Sequence, residues 1–218
     1  MIPVPTGWYM ALTTELKPAK EGRGTRAAII AAAARIMHVK GYTATSLDDV
    51  LRESAVGKGN FYYYFKSKED LGYEILDRAI RSFLERTLDP CFADPDANRL
   101  GQVRCFLDRL LEAERERNCV GGCMIGNLAS ELSDVHEGFR AKLSGLFTLW
   151  GERLTQALQQ GQARGEVSRG CDPVAAGRFL VASLEGAMLM TKVRKDISVM
   201  EQCVDEMNHY LSLYGESR

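Results

Sequence analysis

Between Val56 and Asp70 the chain places side chains suited to reading a polyanion: Lys58-Gly59-Asn60-Phe61-Tyr62-Tyr63, then Phe65, Lys66 and Lys68. Lysines neutralise phosphate charge. An asparagine amide can pair with an adenine edge or a phosphate, and tyrosines offer a hydroxyl donor and a flat ring to sugar, phosphate or a thymine methyl. Gly59 has no side chain, so a duplex can approach its backbone closely. On a helix starting at Lys58, the first residues carry free N–H groups at the positive dipole end, which favours phosphate. Phe61 and Phe65 are four apart and share the inward face. One short helix cannot bury every face, so Tyr62 and Tyr63 are expected to point outward. The competing reading makes FYYYF a core aromatic cluster, which suits the two phenylalanines better than the tyrosines. Lys66 and Lys68 could also be no more than solvated charges.

The second chemistry on offer is that of sulfur. There are six cysteines, at positions 91, 105, 119, 123, 171 and 203. None forms a C-x2-C pair and the three histidines are far apart in sequence, so no metal site or cofactor is expected. Cys119 and Cys123 stand in the segment CVGGCMIGNLASELSD (119–134). Cys123 falls at the expected start of a helix, where a thiol pKa can be lowered. It then reads either as a sensor of oxidants or electrophiles or as the small buried apolar side chain that free cysteine usually is. A cysteine-dependent enzyme is the reading from another class. It lacks a base for the nucleophile, since His136 is the only sequence neighbour that could serve, and no catalytic residue is assigned.

The elements that must position these groups are helical. Residues 25–39 are rich in alanine, with Ile29, Ala33, Ile36 and Met37 at helical spacing, and Gly41 fits a C-terminal cap. Ser46 with Asp49 reads as a capping box opening a second helix with Leu47, Val50 and Leu51. A break at 55–57 leads to the third segment, 58–65, and Lys68-Glu69 begins a longer helix carrying Leu71, Ile75, Ile80 and Leu84. The stretch 89–98, DPCFADPDAN, is expected to be a loop because of its two prolines. Further helices are expected at about 99–117, 124–133, 136–163, 173–194 and 197–214, the fourth opening on Asp172-Pro173. No strand-like alternation is found, and the fold class is all-α.

Composition agrees with a globular chain: 218 residues, 45% apolar and 26% charged. No run reaches the roughly 18 apolar residues of a membrane span. The first stretch lacks the basic and apolar blocks of a signal peptide, so a cytoplasmic protein with reduced cysteines is expected. The net charge of −1 is unevenly distributed, with 10 Lys and Arg against 7 Asp and Glu in residues 1–70 and 18 against 22 in 71–218. Such a balance suits a DNA-touching head on an acidic body.

The run 41–71 resembles the N-terminal domain of TetR-family (tetracycline-repressor type) regulators. Gly41, Tyr42, Thr45, Ser46, Val50, Val56, Lys58, Gly59, Phe61, Tyr62, Phe65, Lys68, Glu69 and Leu71 fill that family's pattern. Two positions depart from it. Ala55 stands where glycine is usual, at a cost of about 1 kcal/mol if its φ is positive. Gly57 stands where a serine hydroxyl often meets phosphate. The resemblance implies a three-helix helix-turn-helix head at 23–70 after an N-terminal extension, 1–22, and a helical ligand-binding and dimerisation body at 71–218. It implies DNA contacts from Thr45, Ser46, Lys58, Gly59, Asn60, Tyr62, Tyr63 and Lys68. It also implies a homodimer on palindromic operator DNA, most simply a repressor, released by a small-molecule inducer.

In such a dimer the helices at 173–194 and 197–214 form the interface, aided by the small residues Ala175, Gly177, Ala182, Gly186 and Ala187. The segment Gly122-Cys123-x-x-Gly126-Asn127 resembles a subgroup in which it opens a ligand-domain helix; some members sense reactive molecules. Cys119, Cys123 and Asn127 are therefore the candidate ligand or sensor residues. Residues 1–9 have no evident role, and a chain starting at Met10 is expected to bind and fold as well.

Overall fold

A computed structural model of the chain describes residues 21–215. The expectation for residues 1–9, and nearly all of the 1–22 extension, lies outside the described residues. The chain is all-α, as its periodicity predicts. Helices run over Glu21–Lys40 (α1), Leu47–Ser54 (α2), Lys58–Tyr64 (α3), Lys68–Phe83 (α4), Asp89–Phe92 (α5), Arg99–Glu116 (α6), Met124–Leu132 (α7), Glu137–Ala163 (α8), Pro173–Arg194 (α9) and Ser198–Ser212 (α10). Outside helices, Val167 and Gly215 make an isolated antiparallel bridge.

These elements form two compact units. One holds the described residues up to Ser82 together with Met124–Arg140, and the other holds Phe83–Cys123 and the chain from Ala141 onward. α4 stays with the first unit for most of its length, and α7 joins it.

In the first unit α1 packs on α2 and α3. Ile29, Ile30, Ala33, Ala34 and Met37 bury one face of α1, and Val50, Phe61, Phe65 and Leu71 meet in the same core. Gly41 caps α1 at φ +94°, its N–H donating to the Met37 carbonyl. Ser46 caps α2 through the expected box: its Oγ accepts from the Asp49 N–H, and the Asp49 carboxylate accepts from the Ser46 N–H. Ala55 takes the left-handed conformation at φ +53°, the strained alanine that its place in the turn predicts. Glu131 of α7 then grips the loop before α2, accepting from the N–H groups of Tyr42 and Thr43 at 3.2 and 2.8 Å. A ring cluster of Tyr42, Tyr73, His136 and Phe139 lies beside it, with Tyr73 stacked on Phe139 at 4.4 Å.

In the second unit Phe106 meets Phe83 and Trp150 edge to face at 6.1 and 5.7 Å, and Phe83 lies tilted against Trp150 at 5.3 Å. The expected loop at 89–98 is helical in its first four residues. The chain passes from α4 through a π-helical turn, Leu84–Leu88, into α5, and only 93–98 is irregular. Pro90 sits in the first turn of α5, and the Arg86 carbonyl four residues before it accepts from Arg109 instead, so the path is not broken. α9 is also more apolar than expected: it is long and apolar enough to cross a membrane. The reason is that it is apolar on two faces. Leu180, Leu184, Ala187 and Met188 are buried, while Phe179, Leu189, Met190 and Val193 are exposed.

Candidate nucleic-acid interface

α3 is amphipathic by necessity. Phe61 and Phe65 sit 5.7 Å apart with 0% and 2% of their surfaces exposed. That register turns Tyr62 and Tyr63 outward, 51% and 80% exposed. Lys58, Gly59 and Asn60 are exposed beside them. Lys58 and Lys66 make no ion pair among the described residues, whereas Arg52 on α2 is tied to Asp49. The result is a surface with cationic, amide and phenolic groups on a rigid element.

Gly59 repays a closer look. A Cβ added there would meet nothing within 4 Å, so packing within the head does not require glycine. Glycine inside a helix nevertheless costs about 1 kcal/mol relative to alanine. Gly57, the N-cap of α3, likewise brings no side-chain hydrogen bond to the helix start.

Two expected contact residues take other roles. Thr45 is fully buried, and its hydroxyl donates to the Gly41 carbonyl at 2.6 Å, so its side chain does not reach a phosphate. Its β-branched side chain closes the turn instead. Lys68 donates to the carbonyls of Tyr42 and Thr45 at 3.0 and 2.9 Å, and its ammonium lies 4.4 Å from the centre of the Tyr42 ring. Burial pulls the Lys68 pKa down and the Glu131 charge partly restores it. This lysine ties down the loop before α2 through those two carbonyls. Ser46 remains exposed at the start of α2. Asp49 beneath it is held far below the usual carboxylate range by hydrogen bonds from Lys40 and Ser46.

The expected sensor residues divide between the units. Asn127 lies half-buried on α7 in the first. Cys119 and Cys123 lie in the second. Cys119 is buried at φ +58°, its carbonyl accepting from Lys195 Nζ at 3.0 Å. Burial and the Glu114 charge push its thiol pKa up. The half-buried Cys123 donates its S–H to Glu185, whose carboxyl is pushed up by burial and by Glu114. Glu114 itself is fully buried against Arg117. His136, the base a thiol enzyme would need, is engaged in the first unit with Glu69 at 3.2 Å.

Sequence reasoning missed Glu131 and Glu185. Both act on partners more than sixty positions away, and nothing in their neighbourhoods marks them.

Residues 29–72 match the family described as bacterial regulatory proteins, tetR family, and residues 100–207 match the tetracyclin repressor-like C-terminal domain. The transcriptional regulator AcuR of Cereibacter sphaeroides is 34% identical over 71% of this chain and 70% of its own length. The HTH-type transcriptional repressor DhaR of a Mycobacterium strain is 28% identical over 75% and 80%. Among solved structures, a TetR transcriptional regulator from Chloroflexus aurantiacus superposes with a TM-score of 0.81 at 27% identity, over 90% of this chain and 98% of that one.

Proposed function

The chain belongs to the TetR family of transcriptional regulators, and from that premise we propose that it is a homodimeric repressor in the cytoplasm, releasing a palindromic operator when a small molecule binds. The observation that carries this reading is the division of labour on α3. Phe61 and Phe65 fix the helix from below, leaving Lys58, Gly59, Asn60, Tyr62 and Tyr63 for the major groove, with Ser46 for a phosphate. Repression follows the relative DhaR, which is named as a repressor. The outer faces of α9 and α10 support dimerisation. They enclose a groove of about 610 Å³ lined by Phe179, Gly186, Met190, Cys203 and Tyr210. Gly177, one of the small residues expected there, serves the unit's own core instead: a Cβ would lie 2.8 Å from Thr155 Oγ1 on α8.

Footprinting of the duplex flanking its own gene, repeated at rising salt, tests the reading. A protected two-fold site whose affinity falls steeply with salt is expected. Uniform or absent protection refutes it. An inducer must bind the DNA-free state more tightly, so operator must weaken ligand binding by the same factor that ligand weakens operator binding. A roughly 100-fold factor corresponds to about 2.7 kcal/mol.

A further inference from the structure

The second unit holds a pair of thiols that the DNA-binding function does not use. Cys91, at the third position of α5, and Cys105, in the middle of α6, face one another with their sulfurs 2.7 Å apart. Both thiols are free. A disulfide needs about 2.05 Å between sulfurs, so a small approach suffices to bond them. We propose that Cys91 and Cys105 are a dithiol–disulfide site, oxidised within one chain by peroxides or by small disulfide-forming oxidants and reversed by thiols.

Burial assigns the two roles. Cys91 is 6% exposed, whereas Cys105 is partly open to solvent between the exposed Gly101 and Asp108. Peroxide therefore meets Cys105 first. Its sulfur attacks one peroxide oxygen, the O–O bond breaks, and the departing hydroxide takes the thiol proton as water, leaving a sulfenic acid. The Cys91 sulfur then attacks the Cys105 sulfur. The S–S bond forms, the S–O bond breaks, and hydroxide leaves with the Cys91 proton as a second water. The thiols lose two electrons and the peroxide gains them.

Cys91 suits the resolving role by its position against Cys105, not by its acidity. Its S–H points at the Thr87 carbonyl at 3.5 Å, and the Arg109 guanidinium lies in hydrogen-bonding reach of its sulfur. Burial and the neighbouring Cys105 thiol push the Cys91 pKa up to about 12, and Arg109 is the group that pulls it back. The same Arg109 donates to the Arg86 carbonyl at 2.9 Å, inside the π turn. Arg109 thus holds the turn and faces the thiol that must lose its proton. The bond would staple α5 to α6 across the irregular segment 93–98. It stands independently of whether α3 binds DNA.

The test uses the full chain. Reduced protein is treated with hydrogen peroxide or diamide, remaining thiols are blocked with iodoacetamide, and peptides are mapped without reduction. A crosslinked peptide joining Cys91 to Cys105 is expected, lost again on adding dithiothreitol. In Cys91→Ser, peroxide should leave Cys105 as a sulfenic acid that dimedone traps; in Cys123→Ser the crosslink should form as in the parent. Iodoacetamide on both Cys91 and Cys105 after oxidation, or a crosslink to any other cysteine or another chain in their place, would overturn the proposal. Wild-type mapping alone decides this, so a variant that misfolds does not rescue it. Arg109→Gln should slow crosslinking several-fold relative to the parent.

Discussion

The polar groups of α3 are exposed and those around Glu185 are enclosed. On α3, Lys58, Asn60, Tyr62 and Tyr63 stand in solvent above two buried phenylalanines. In the second unit Glu114 is fully enclosed, Cys119 is buried, and the Glu185 carboxyl has an oxygen with no hydrogen-bond partner. Exposed polar groups cost folding little and are free to act on something as large as a duplex. Buried ones cost stability and can answer only to what fits inside, a proton or a small molecule. The contrast separates a surface built for a macromolecule from an interior whose polar groups carry an energetic debt.

The sharpest way to break this comparison is on α3 itself. Phe61→Ala should remove roughly 3–5 kcal/mol from the stability of the head by opening a core cavity. Tyr62→Ala should leave thermal stability nearly unchanged and weaken operator binding by about 1–3 kcal/mol per subunit. Melting curves and gel shifts on both variants decide it. Equal destabilisation would mean that Tyr62 is part of the core and that α3 has no outward face.

Lys68 gives the next largest effect, because it is a charged residue that behaves as an interior one. Lys68→Met removes donors from the Tyr42 and Thr45 carbonyls and should cost about 2 kcal/mol of stability. DNA affinity should fall with it, since the loop leading to Ser46 loses its anchor. A loss of affinity at full thermal stability would return Lys68 to the role of a backbone clamp.

Sequence separation explains what could be read in advance. Ser46 and Asp49 are three apart, and Phe61 and Phe65 four apart. The α2 cap and the register of α3 were therefore legible from local pattern alone, whereas the strained Ala55 was legible only through the family resemblance. Most of the body helices were legible too, because their apolar spacing is regular. The effect of Pro90 was not, since it depends on where a helix happens to begin. Nor was the fate of Thr45 and Lys68: a motif says which residue types recur, and burial says which of them face outward. Glu131 on the loop at 42–43, Glu185 on Cys123 and Cys105 on Cys91 are partnerships that only the tertiary fold creates.

Glu185 offers a smaller, pH-dependent effect. Its folded pKa is raised, chiefly by burial, above the ordinary carboxylate value of 4.5. Its contribution to stability is therefore fully present below about pH 4.5 and is lost as pH rises through the folded value. Above that value the charge is held where water is scarce. Glu185→Gln should raise stability by about 1 kcal/mol at pH 7–8 and change little at pH 4. Denaturant melts at the two pH values test it. A variant that is less stable at pH 7 would mean that the carboxylate is a paired charge rather than a strained one.

The smallest expected change in stability is the most informative about the outer face of α3. Gly59 occupies the second position of a seven-residue helix with open space where a Cβ would go. Within the head, alanine is the better residue there, and Gly59→Ala should stabilise by up to about 1 kcal/mol. If glycine is instead there so that a duplex can approach the backbone, the added methyl must stand in the way of the DNA. The same substitution should then weaken operator binding, several-fold or more, while melting temperature rises. Folding and binding would move in opposite directions from one methyl group. That pattern cannot come from a damaged head, because damage lowers both. A variant that gains stability and binds operator as well as the parent would show that the duplex does not come close to α3 at this position, and the contact surface would have to lie further along, at Tyr62 and Tyr63.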